Sequence, residues 1–202
     1  MQTLSKYAPL TPVPLDSARF SVNASTEIKL SDLLEVSNIG QIARVAIGGK
    51  WKREPAPIVN TPGGVLQQFN LETEQHTHLC FYYRGAPASQ AATDAFRSVL
   101  GLHPHLLDMD ERKSVEEILR EKIPQKGFAY CSIKTVAIGL RMVLVVEGVY
   151  KQHNMRTITV FIDASKKHEG SAVQEVTFLA PRDAFYKHYP TIMNAFKSLK
   201  WL

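Results

Sequence analysis

Four stretches near the end of the chain decide the fold: FAYCSIKTVAI (128–138), LRMVLVVEGVYK (140–151), MRTITVFIDA (155–164) and the weaker AVQEVTFLA (172–180). Val, Ile, Thr, Phe and Tyr dominate them, the residue types that pack best on a pleated, half-buried surface. Gly139 and Gln152-His153-Asn154 interrupt the run with turn chemistry, so the spacing predicts successive antiparallel strands. The longest apolar stretch, Met142 to Val146, is far shorter than the ~20 residues a membrane-crossing helix needs, and it reads as a buried strand. The chain then ends DAFYKHYPTIMNAFKSLKWL (183–202). Phe185 and Tyr189 mark a first helical turn, and Ile192, Met193, Phe196 and Leu199 a longer one starting at Pro190, because the first helical position makes no use of its N–H. That stripe is expected to pack on the sheet.

Upstream, Ser114 and Glu117 have the S-x-x-E spacing of a capping box, and Val115, Ile118, Leu119 and Ile123 share one face before Pro124, which predicts a helix there. Ala92, Phe96, Val99 and Leu100 predict another helix, capped by Ser89 and stopped by Gly101 and Pro104. Further back, Val65–Leu71 and Thr77–Tyr83 read as a hairpin around the polar turn 72–76, with Phe69, Leu71, Leu79, Phe81 and Tyr83 on its apolar face. Ile39 to Ile47 reads as a strand ended by Gly48-Gly49, and Leu30, Leu33 and Leu34 as a short helix before it. A proline-containing connection, with Pro55, Pro57 and Pro62, precedes Gly63-Gly64. Residues 1–26, with Pro9, Pro12 and Pro14, favour an extended N-terminal arm, leaving 27–202 as one α+β domain: an antiparallel sheet packed against helices.

The strands LRMVLVVEGVYK and RTITVFIDA, then VQEVTFLAPRDAF and a last helix ending AFKSLKW with the pair Ser198-Leu199, resemble the end of PsbP-like and DcrB-like domains over residues 127–202. The resemblance implies a PsbP-like sandwich and a compact non-catalytic module. It also implies the roles such relatives play: accessory subunits of large assemblies, adaptors of bacterial secretion systems, or small regulatory binders. It carries over no functional residue, because that fold has no shared site.

The formal net charge is +5, from 24 Lys and Arg against 19 Asp and Glu. The basic residues fall in small separated groups, whereas a nucleic-acid binder concentrates them on one stripe, so nucleic-acid binding is an alternative of low weight. Two cysteines, Cys80 and Cys131, are too few for a disulfide framework and read as reduced, buried thiols. The N-terminus lacks the apolar core and small-residue cleavage site of a secretory signal, which leads to the expectation of a cytoplasmic protein with no membrane span.

Motifs with chemical spacing are few. His76, His78 and Cys80 alternate along a strand and could approach one zinc ion, yet no second ligand pair accompanies them, and no metal or other cofactor is expected. Asp108-Met109-Asp110 could hold a divalent cation, but acidic residues just ahead of a helix favour its dipole in any case. G-x-S-x-G, H-E-x-x-H and the phosphate-cradling glycine patterns are absent. An enzyme would therefore need a site assembled from scattered groups such as His78, Asp108, Asp110 and His153. For binding, the candidates are Trp51 with Lys52 and Arg53, Tyr83 with Arg84, and Trp201, since Trp, Tyr and Arg carry most interface energy. The sequence thus favours a non-enzymatic protein-binding module, a subunit or adaptor of a larger assembly, over a small enzyme or a nucleic-acid accessory protein.

Overall fold

The computed structural model describes residues 32–55, 65–84, 89–120, 127–164 and 173–202, with backbone alone at 65, 66, 83, 84 and 120. The N-terminal arm, Leu30, Pro57 to Gly64, Ile123 and Pro124 lie outside these residues.

Seven strands form one antiparallel sheet: β3 (Trp51–Arg53), β4 (Val65–Leu71), β5 (His78–Arg84), β6 (Phe128–Ile138), β7 (Arg141–Tyr150), β8 (Met155–Asp163) and β9 (Val173–Pro181). Their spatial order is β3-β4-β5-β9-β8-β7-β6. A smaller sheet holds β1 (Leu33–Ile39), β2 (Ile42–Gly48) and β10 (Lys200–Trp201), in the order β1-β2-β10. The helices are α1 (Gln90–Leu100), α2 (Met109–Ser114), α3 (Glu116–Arg120) and α4 (Arg182–Lys197). The architecture is α+β and its strands are antiparallel, as the sequence predicts, but they form two sheets where one was expected.

The large sheet is covered on both faces, which explains why β7 reads as an unbroken apolar run. Val143 and Val145 point to a front core with Ile158, Val160, Phe178 and residues of β1, β2 and α4. Leu144 and Val146 point to a back core with Phe161 and Ile133, roofed by Phe96 and Val99 of α1 and by Val115, Ile118 and Leu119 around α3. The front layer is tied on by Gln174, fully buried in β9, whose amide donates to the Ile39 carbonyl (2.8 Å) and accepts from the Gln41 N–H (2.6 Å). A second tie joins α4 to the sheet: Glu147 on β7 accepts from the Tyr189 hydroxyl and from Lys134, each at 3.1 Å.

A bulge in β6 sets its parity. Tyr130 pairs with Gly148 and Ser132 with Glu147, leaving Cys131 as the extra residue. Tyr130 and Ile133, three apart in sequence, thereby both reach the back core. Cys131 is consequently exposed and Cys80 half-buried, which corrects the expectation of two buried thiols.

Other expectations change as well. Leu33 and Leu34 belong to β1, not to a helix, because pairing with β2 outweighs a short helical pattern. The stretch from Ile39 to Ile47 is broken by the Gly40-Gln41 turn, where Gly40 has a φ of 57°. The capping box is Asp108 with Glu111 (2.9 Å in each direction), not Ser114 with Glu117. Ser114 ends α2, donating to the Glu111 carbonyl, while Glu117 accepts from the N–H and hydroxyl of Ser89, itself the cap of α1. Pro190 lies inside a continuous α4: it forfeits one hydrogen bond, which the buried stripe of Phe185, Ile192 and Phe196 on both sides outweighs. The helix ends at Lys197, and Trp201 belongs to β10.

Candidate functional site

The sequence candidates separate into two ends of the molecule. Trp51, half-buried on the edge strand β3, packs on the front core and donates its indole N–H to the Gly48 carbonyl (3.1 Å), with Lys52 and Arg53 exposed beside it. Trp201 donates to the Ile138 carbonyl (3.0 Å) and pairs across from Ile42. Gly48 and Ile42 are opposite ends of β2, about 20 Å apart by the strand rise, so the two Trp residues mark opposite ends of that strand. Tyr83 and Arg84 end β5, pairing with Gln174 and Val173 of β9.

Of the groups considered for metal or catalysis, His78, Cys80 and Asp108 are engaged structurally. His78 on β5 lies 2.6 Å from the Asn70 side-chain oxygen, and burial pushes its pKa down. His76 occupies the preceding turn with a φ of 56°, and Cys80 points at Gln68. Asp108 caps α2, Asp110 is exposed in its first turn, and His153 is exposed on the 3₁₀ turn after β7. These residues fall in three separate places: β5 and its preceding turn, the start of α2, and the turn after β7. Among the described residues, no group of three or more His, Cys, Asp or Glu side chains is placed to hold a metal ion. His105 contacts Glu111 (2.8 Å) and the His103 carbonyl (2.7 Å), both of which raise its pKa, so this pair braces the loop ahead of α2.

What sequence reasoning missed is a cleft of about 390 Å³ at the Trp201 end. Four connections converge there: the β1–β2 turn with Gln41, the end of α1 with Arg97 and Gly101, the start of β7 with Arg141, and the end of β8 with Asp163. Its apolar lining is Leu100, Met142 and Ile162. Arg97 is paired with Asp163 at 3.1 Å. Arg141 lies over the Trp201 ring (5.2 Å to the centroid), donating to the Gln41 side chain (3.3 Å) and to the main-chain oxygen of Leu202 (3.2 Å). Both guanidinium groups are therefore held in place, not free to wander. The Leu202 N–H in turn donates to the Gln41 carbonyl (3.0 Å), closing a ring of contacts around the cleft.

Three exposed leucines neighbour cleft residues along the chain or through a backbone bond. Leu140, at the tip of the β6–β7 hairpin, is 103% exposed; Leu202 is 65% and Leu102 45% exposed. Each adjoins or bonds to a cleft residue: Leu140 precedes Arg141, Leu102 follows Gly101, and Leu202 is held by Arg141 and Gln41. One sequence signal could have found them. A two-residue hairpin turn normally carries polar residues, and Gly139-Leu140 places a large apolar side chain there.

No helix among the described residues is long and apolar enough to cross a membrane. No protein-family model matches the chain, and a search of curated proteins finds no match.

Proposed function

We propose that the protein is a non-enzymatic protein-binding module, a subunit or adaptor of a larger assembly, and that it docks through the Trp201 end. The observation that carries this reading is that Leu102, Leu140 and Leu202, all exposed, adjoin or bond to residues of a cleft whose cations are held in place. A partner that covered these side chains would take their apolar surface out of water, which is how interface leucines gain binding energy. The trio also gives the sequence candidate Trp201 a role: its ring is the base on which Arg141 rests. On this reading Trp51 closes the other end of the front core.

The finer fold assignment, a sandwich of the PsbP-like and DcrB-like kind, belongs to the same proposal. It is supported by the unbroken order β6 to β9 followed by α4 on the front face. That likeness favours an accessory subunit, of a bacterial-type and secretion-related assembly, over a free-standing enzyme.

The test is affinity capture from lysate of the source cells with the wild type, Leu140→Asp and Lys52→Asp. A stoichiometric partner retained by the wild type and Lys52→Asp but lost with Leu140→Asp supports the proposal. Equal recovery with all three, or no partner at all, contradicts it.

A further inference from the structure

On the reading that the Trp201 end binds a protein, we infer that the cleft takes a short partner segment in which apolar side chains alternate with or flank Asp or Glu. Two features of the cleft select that chemistry. Leu100, Met142 and Ile162 give it apolar lining that an apolar side chain can meet, and the exposed Leu102 and Leu140 directly adjoin the lining residues Gly101 and Arg141 in the chain. Its charged lining is Arg97, Arg141 and Asp163, two cations against one anion, with Asp163 already facing Arg97.

A guanidinium that is pre-positioned recognises a carboxylate at smaller entropic cost than a mobile one. Arg141 is fixed by the indole below it and by oxygens of Gln41 and Leu202, so an arriving carboxylate meets a donor group already in place. A nucleic acid fits this end poorly. Arg141 already covers one face of the Trp201 ring, and the neighbouring exposed leucines offer nothing to a phosphate backbone. An acidic, apolar peptide complements the excess positive charge of the lining and the leucines together.

The experiment selects short peptides from a random displayed library on the immobilised full-length protein. Fluorescence polarisation then measures the selected peptides against the wild type, Arg141→Gln, Arg97→Gln, Leu140→Ser and Lys52→Gln, each checked for folding by its circular dichroism melt. The expected result is enrichment of Asp or Glu together with Leu, Ile or Phe. Binding should weaken about tenfold with Arg141→Gln, as loss of one charged hydrogen-bonding partner implies. It should also weaken with added salt, fall with Leu140→Ser and hold with Lys52→Gln. Arg97→Gln keeps the Trp201 contacts intact and covers the case in which Arg141→Gln does not fold.

If Leu140→Ser abolishes binding while both arginine variants and salt leave it unchanged, the docking end stands and the acidic partner is overturned. Indifference to Leu140→Ser and to the arginines overturns both readings. Concentration-dependent self-association lost in Leu140→Ser identifies a second copy as the occupant, which also overturns the acidic segment.

Discussion

Gly148 admits no side chain. A Cβ built on it would lie 2.1 Å from Cζ of Phe128 and 2.8 Å from both Cε atoms, where carbon atoms ordinarily rest at about 3.5–4.0 Å. The Phe128 ring cannot retreat freely, because the Tyr130 and Tyr150 rings meet it with centroids at 5.4 and 4.7 Å. Gly148→Ala therefore forces the ring out by more than an ångström. Overpacking of this kind costs about 1–3 kcal/mol, and loosening the aromatic contacts adds about 0.5–1.5 kcal/mol. A total of roughly 2–4 kcal/mol in a chain of this length lowers Tm by roughly 5–15 °C. The assay is thermal and urea denaturation of a double-mutant cycle with Phe128→Ala. Without the ring, Gly148→Ala should be neutral or stabilising by about 0.5 kcal/mol, because alanine restricts the unfolded chain more than glycine does. A Gly148→Ala protein within about 0.5 kcal/mol of the wild type would refute the packing argument.

The remaining predictions concern a cap, a buried amide and two histidines. Asp108→Ala removes the acceptor for the Glu111 N–H and should cost about 1 kcal/mol in urea melts, whereas Ser114→Ala, at the far end of α2, should cost less than half of that; the reverse order would restore the S-x-x-E box. Gln174→Leu strips the Ile39 carbonyl and the Gln41 N–H of their partner and should destabilise by about 2–4 kcal/mol; an unchanged melt would mean that Gln174 does not hold the small sheet in place. Burial and the neighbouring Lys187 lower the pKa of His188, so the unfolded chain takes up that proton first and stability should decline as pH falls below about 6.5. The bonds of His105 to the His103 carbonyl and Glu111 raise its pKa, so its contribution is complete below about 6.5 and is lost as pH rises through the raised value. In Tm-versus-pH profiles His188→Asn should flatten the acid limb and His105→Asn the alkaline limb, and a profile that neither changes contradicts both assignments.

Strands β4 to β9 of the large sheet were legible because their information is local, whereas β3, three residues long, was not. The apolar run Met142–Val146 and the β-branched stretch Thr157–Ile162 announce strands buried on both faces, and Gly139 and Asn154 mark where the chain reverses. The small sheet was not legible, because β10 is two residues long and its pairing with β2 joins positions more than 150 apart. Competing short-range signals misled in two places. D-x-x-E at 108–111 and S-x-x-E at 114–117 both satisfy the capping pattern, and only the tertiary contact of Ser89 with Glu117 decides between them. Pro190 resembles a helix start, and only the core beneath α4 shows that the helix runs through it.

The candidate site was legible in one residue, Trp201. Arg97, Arg141, Gln41 and Asp163 come from four distant connections and share no spacing, so nothing in the chain announces that they meet. The aromatic and basic residues that drew attention at Trp51 sit at the other end of β2, where composition alone could not separate them from the cleft.

The most direct test of docking at the Trp201 end is site-specific photocrosslinking in the source cells, with a photoreactive phenylalanine analogue replacing Leu140 in one protein and Lys52 in another. The account predicts a discrete crosslinked partner from position 140 that is absent from position 52. A partner captured from position 52 and none from position 140 would contradict it, and would move the interface to Trp51 at the opposite end of the molecule.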